Sequence, residues 1–283
     1  MSIREAYQTA TRHKMTTPAK VLTFDIERRP GVYFEWSPRN GGFMGRDKQV
    51  IRSSTISWAA KWYGRRDTMY AATAPGIDTT FMQPEDVPGY YDMLVGLRDL
   101  LDEADIVAGF NSVRFDETRV RGEFVRMGIP EPSPFRSLDV MRTVRRMGWD
   151  YSSLAETLDA LGLGGKLAHQ GFTLWIDFMR GDPKAHRTME RYNRQDVVQT
   201  ERAMDALRPF MKDHPNLNLW SGYDDQGNPI EVCPTCGSDR LRLVEGKSAM
   251  TPLTNYALMQ CGKCRAFSRK NYVRARAVAR SVK

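Results

Sequence analysis

At 283 residues, with 41% hydrophobic and 10% aromatic content, the chain can hold one sizeable core, or a core with a small appendage, and disorder throughout is excluded. No stretch approaches about 18 apolar residues and the N-terminus lacks an apolar run of roughly 7 to 15, which argues against a membrane span or secretory leader and makes an intracellular, cytoplasmic protein the expectation. A formal charge of +8 and a pI near 9.4 favour a polyanionic partner such as nucleic acid, although solvated Lys and Arg alone give the same balance.

After a polar N-terminal segment (1–19), "VLTFDIERRP" predicts a strand over about 20–27. Strand side chains alternate, so Val21, Thr23, Asp25 and Glu27 share one face while Leu22, Phe24 and Ile26 share the other. Two ionised carboxylates ~5 Å apart repel by about 3 kcal/mol at an effective dielectric near 20. A Lys or Arg, a raised pKa on one acid, or a divalent cation could each offset that cost.

Residues 28–48 show no period and read as a long loop. It interleaves Tyr33, Phe34, Trp36 and Phe43 with Arg28, Arg29, Arg39, Arg46 and Lys48, a composition suited equally to holding a single strand and to packing on its own aromatics. "SSTISWAAKWYG" alternates, with Ile56, Trp58, Ala60 and Trp62 on one face, and "TMYAATA" is a second candidate strand.

Helical spacing of Met93, Leu94, Leu97, Leu100 and Leu101 predicts a helix over 90–104; "DIVAGFN" reads as a short buried strand and 116–129 as an amphipathic helix. A strand near "FRSLDV" precedes a helix opened by a capping box, Ser153 with Glu156, and stopped at Gly162 and Gly164. Asp182 as N-cap and Pro183 at the first position start a long helix running to about Met211. The order predicts an α/β domain with a mixed sheet, then an Asn, Asp, Gly and Pro-rich linker over 213–231.

Further oxygen ligands, if Asp25 and Glu27 hold metal, must come from elsewhere. Asp116, after the turn at Asn111 in "GFNSVRFD", could equally be a first-turn acid favoured by the helix dipole. Tyr192 and Asp196 in "YNRQD" are i and i+4 and share a helix face. Asp139 and Asp177, also near element ends, are assigned to caps or turns.

In order and spacing, Asp25 with Glu27, Asn111 and Phe115 before Asp116, and Tyr192 four before Asp196 resemble the three motifs of the DEDD superfamily of 3′-to-5′ exonucleases. The resemblance covers roughly 20–205 and implies a ribonuclease-H-like mixed sheet flanked by helices, over a domain set at 20–212. Arg191 stands where one subclass has a catalytic His, so Tyr192 matches the tyrosine subclass, DEDDy. "SSLAETLDALGLGGK" resembles the same region of exonuclease domains related to family B DNA polymerases.

The resemblance implies Asp25, Glu27 and Asp196 on one Mg²⁺ or Mn²⁺, Asp25 and Asp116 on a second, and Tyr192 orienting water. The substrate expected is single-stranded DNA with a free 3′ end, and replication or repair proteins are possible partners. Asn111, Phe115, Trp36, Arg28 and Lys166 are the candidate substrate contacts, although Lys166 also reads as an exposed loop residue. A ribonuclease or DNA/RNA nuclease of the same fold, and a catalytically silent nucleic-acid-binding protein, stay open beside this reading.

All four cysteines fall late, as "CPTC" and "CGKC". Cys233, Cys236, Cys261 and Cys264 have the spacing of a tetrahedral Zn²⁺ site, expected as a zinc ribbon over 232–268 with one structural zinc; a redox motif would need one pair in a βαβ context. A basic tail, 269–283, follows, and ribbon and tail are expected to bind nucleic-acid backbone or a protein partner. An exonuclease domain with a terminal ribbon also resembles nucleases encoded by bacteriophages, which would place it in the host cytoplasm.

Overall fold

The computed structural model describes residues 17–35, 45–150, 152–164, 171–224 and 226–276. The chain divides into two compact units, one of Lys20–Ala203 and one of Met1–Ala19 with Met204–Lys283.

The larger unit is a mixed α/β domain of the ribonuclease-H-like kind. Its sheet has the order β5-β4-β1-β6-β7, from β1 (Val21–Arg29), β4 (Ser54–Trp62), β5 (Met69–Ala72), β6 (Ile106–Gly109) and β7 (Arg136–Asp139). β1 is central, antiparallel to β4 and parallel to β6. A two-stranded ribbon, β2 (Val32–Tyr33) with β3 (Gln49–Ile51), brackets the expected loop.

One face of β1 supplies Leu22, Phe24 and Ile26, which are buried against Leu94, Leu97 and Leu101 of α1 (Tyr90–Glu103) and Phe124 of α2 (Asp116–Met127). Burial of this apolar face drives the packing, at roughly 1.5–3 kcal/mol for each large side chain fully removed from water. Trp58 fills the same layer and satisfies its indole by donating to Met93 O at 2.7 Å.

The other face is covered by the long helix, here α6 (Pro183–Leu207), after α3 (Val140–Arg146), α4 (Leu154–Ala160) and α5 (Thr173–Met179). Its polar residues meet polar partners: Ser57 Oγ donates to Asn193, and Lys61 Nζ pairs with Glu201 at 2.6 Å, both groups largely buried.

Ile56 departs from the expected alternation. Glu27 pairs with Ser57 but Arg28 with Thr55, a bulge that leaves Ile56 as the extra residue and sends it into the cluster of Leu174, Phe178, Met189 and Tyr192, away from Trp58.

Several helix boundaries have visible causes. Ser153 and Glu156 make both bonds of the capping box, and Gly128 closes α2 at φ 67°. α6 starts at Pro183, with Asp182 Oδ1 accepting from Lys184 N at 2.8 Å, and stops at Leu207 rather than Met211 because Pro209 lacks the donor the next turn needs. α3 and α5, each only seven residues, were not expected. Among the described residues no helix is long and apolar enough to cross a membrane.

The smaller unit is a three-stranded sheet of order β10-β9-β8, from β8 (Leu241–Met250), β9 (Thr254–Cys261) and β10 (Phe267–Arg276). The stretch read as a linker carries α7 (Asn218–Ser221), and its Leu217 N donates to Pro234 O; ahead of it, Arg208 Nη1 donates to Thr235 O. The stretch read as a basic tail begins inside β10.

Candidate metal centres

β1 places Asp25 and Glu27 on its α6 side, where Asp196 of α6 meets them. The three carboxylates offer oxygens that all lie within 4.8 Å of one another. Glu27 and Asp196 are 9% and 7% exposed, and Asp25 is half-buried. Hard carboxylate oxygens converging in this way suit a hard divalent cation, Mg²⁺ or Mn²⁺ by donor chemistry.

Two side chains the sequence reading missed hold the cluster in place. Asn193 is fully buried; its Nδ2 donates to Asp25 Oδ2 at 2.7 Å and to Asp25 O at 3.2 Å, while its Oδ1 accepts from Ser57. Trp175 Nε1 donates to Glu27 Oε2 at 3.2 Å and packs edge-on against Tyr192, ring centres 6.3 Å apart. A poor helix former sealed mid-helix was the available signal for Asn193. Trp175 sits on a short helix without strong start signals.

Tyr192 is buried and its hydroxyl is hydrogen-bonded to Asp196. Burial, then the negative charges of Asp196, Glu27 and Asp25, hold its pKa well above the ordinary phenol value, so it stays a proton donor.

Asp116 reaches β1 from the turn after β6. Gly109 lets β6 end in a close turn, since a Cβ there would lie 2.4 Å from Ser112 Cβ. Asn111 follows at φ 65°, its N–H bonded to Asp139 Oδ1 at 2.8 Å, and Asp139 also caps α3. The turn delivers Asp116 as the first residue of α2, where its Oδ1 accepts the Ile26 N–H at 3.1 Å. That bond ties it to the backbone between Asp25 and Glu27, but it is not among the three convergent acids. Burial outweighs its backbone hydrogen bonds and pushes its pKa up to about 7.

The other predicted contacts divide. Phe115, before Asp116, is partly exposed with Arg119 over its ring; Arg28 is paired with Glu123 and also donates to Ser53 O at 3.1 Å. Asp177 lies inside α5, 3.7 Å from Arg180 in an ion pair. Trp36 and Lys166 lie outside the described residues.

In the smaller unit the four cysteines form a second cluster. Cys233 Sγ is 3.7 Å from Cys264 Sγ, and Cys236 Sγ is 3.7 Å from Cys261 Sγ. All four sulfurs lie within 4.8 Å of one another, and a tetrathiolate Zn²⁺ site with bonds of about 2.3 Å has edges of about 3.8 Å, so the cluster suits Zn²⁺.

The two knuckles repeat one backbone pattern. Gly237 N donates to Cys233 O and Arg265 N to Cys261 O, while Cys233 N donates to Ser238 O and Cys261 N to Ala266 O. Gly237 and Arg265 both take φ near 70°, at 70° and 65°. Among the clustered thiols, burial raises the pKa of Cys236 and Cys264, whereas at Cys261 the N–H groups of Cys264 and Lys263 outweigh burial and bring the thiol down to about 7.

The family-model comparison agrees with this fold. The sequence model of the RNase_H superfamily matches residues 79–208. No curated protein matches the chain in sequence. Among solved structures, the family B DNA polymerase from the hyperthermophilic archaeon Pyrobaculum calidifontis is similar at 19% identity with a TM-score of 0.49; the match covers 85% of this chain and 33% of the polymerase chain.

Proposed function

We propose that this chain is a metal-dependent nuclease, a 3′-to-5′ exonuclease that releases nucleotides from the 3′ end of single-stranded DNA. The observation that carries the reading is the convergence of the Asp25, Glu27 and Asp196 carboxylates beside the hydroxyl of Tyr192. The ribonuclease-H-like fold supports a nuclease, and the DEDDy motif order supports polarity and subclass.

Asp25, Glu27 and Asp196 would hold one Mg²⁺ or Mn²⁺, with Asp25 and Asp116 sharing a second. Bound there, the ions would neutralise the clustered charge, lower the pKa of the attacking water and stabilise attacking and leaving oxygens. The chain's own residues fix the geometry. Asn193 locks the Asp25 rotamer, Trp175 orients Glu27, and Tyr192, kept protonated, orients the attacking water rather than removing its proton. Asn111, Phe115 and Arg28 are proposed to meet substrate. The four cysteines are proposed to bind one structural Zn²⁺ in a ribbon that contacts nucleic-acid backbone.

The test is release of mononucleotides from single-stranded DNA and RNA in Mg²⁺, Mn²⁺ or chelator, beside Asp25→Ala and Tyr192→Phe. Metal-dependent release, abolished in Asp25→Ala and slowed in Tyr192→Phe, is the expected result. Intact substrate under every metal condition would overturn the proposal.

A further inference from the structure

Two clefts open on the larger unit, the first of them beside the carboxylates. The first, about 530 Å³, is walled by Phe115, Phe172 and Trp175, and Trp175 is the side chain that holds Glu27. Phe172 and Phe115 are 65% and 39% exposed, and the Arg119 guanidinium lies 5.8 Å from the Phe115 ring centre. The second cleft, about 360 Å³, is lined by α2 and the β2–β3 ribbon and carries Arg52 and Arg126. Arg28, Ser53 and Arg119 line both clefts, so the two are adjacent.

Charge is distributed unevenly along them. The two clefts together hold five arginines against two glutamates; Glu123 pairs with Arg28 and Glu85 with the exposed Arg52, which leaves a surplus of three positive charges on Arg29, Arg119 and Arg126. Arg29, 1% exposed in the wall of the first cleft, donates to Thr79 O and Thr80 O at 3.0 Å rather than to a carboxylate, so its charge is not cancelled locally. Arg119 and Arg126 are exposed on α2.

We propose that the clefts form one track for a single strand of nucleic acid, with unpaired bases near the 3′ end stacking on Phe115 and Phe172, and phosphates further upstream held by Arg52, Arg119 and Arg126. The direction of the track rests on the nuclease reading; its charge and aromatic walls do not. Exposed aromatic faces leading into a basic groove match what stacking and backbone contact require, and a duplex would leave the rings nothing to stack on.

The test measures binding of 5′-labelled oligothymidylates of about three and about ten nucleotides by anisotropy in chelator, across a salt series. The variant is Arg52→Ala/Arg126→Ala. The control is Arg65→Ala/Arg66→Ala, which removes the same charge from the exposed turn after β4. Two phosphate contacts at about 0.7 each predict a log–log salt slope shallower by about 1.4 and roughly tenfold weaker binding of the longer strand, with most of its advantage over the shorter one lost.

Slope and affinity equal to the control, absence of binding by the unaltered protein, or equally effective competition by an acidic peptide would each overturn the track. Hydrolysis of the same oligonucleotides in Mg²⁺ separates the two readings. Loss of binding as predicted, with no hydrolysis by the unaltered protein, would retain the track and remove the nuclease.

Discussion

Asn193 spends its whole amide on the candidate metal centre, with Asp25 bonded at one end and Ser57 at the other. Removing it takes away the two hydrogen bonds that it makes to Asp25. Asn193→Ala is expected to weaken Mn²⁺ binding about 10- to 100-fold by calorimetry, the usual cost of losing a group that orients a metal ligand. Asn193→Asp loses the same Nδ2 donor, and its added negative charge, which attracts the cation, should offset part of that loss. Unchanged Mn²⁺ affinity in both variants would show that Asp25 is held by something else.

Asp116 gives the residue scale a pH signature. Its pKa is raised in the folded protein, so the stability it contributes is fully present below about pH 4 and is lost as pH rises through about 7. In chelator, the urea midpoint should therefore fall between pH 5.5 and 8.5, and Asp116→Asn should flatten that fall. Part of the slope will persist, since burial also raises the pKa of Glu117.

Among the elements, α2 is fastened to the sheet through its buried acids, Asp116 on Ile26 N, Glu117 on Ser137 Oγ and, with the most bonds, Glu123. Glu123, 6% exposed, accepts from Arg28, the Thr55 N–H and the Tyr90 hydroxyl at once. Glu123→Ala would strand three donors, one of them charged, and is expected to cost about 3 to 5 kcal/mol in a denaturation series, whereas Glu123→Gln, which keeps an acceptor, should cost less. Equal costs for the two would mean the contribution is packing rather than hydrogen bonding.

Element-level structure was legible where period and caps agreed. The face assignment of β1, the capping box at Ser153, and the Asp182–Pro183 start of α6 all follow from local chemistry. What stayed hidden depends on distant contacts. The bulge that turns Ile56 is defined only by its pairing with β1, and α3 and α5 are too short for a helical period to emerge. At the site, the acids could be picked out as residue types at telling positions, but Trp175 and Asn193 act across 148 and 168 residues of sequence, and no local pattern announces such a pair.

For the molecule as a whole, the two units predict two separable dependences on metal. The purified protein is expected to carry one Zn²⁺ per chain by elemental analysis, and Cys264→Ser to lose it along with a thermal transition of its own, leaving the transition of Lys20–Ala203 in place. Full zinc occupancy in Cys264→Ser would remove that cysteine from the site. The net charge of +8 fits a polyanionic substrate, and the acid cluster is the local exception that such a substrate could approach only with cations in place.

The most direct measurement is to resolve by length the products from single-stranded DNA labelled at its 5′ end and, separately, at its 3′ end, with Mg²⁺, for the unaltered protein and for Asp196→Asn. A ladder that shortens stepwise from the 5′-labelled strand, immediate release of the label from the 3′-labelled strand, and neither in Asp196→Asn is the predicted result. Cleavage that begins inside the strand, or that survives in Asp196→Asn, would contradict an exonuclease acting at these three carboxylates.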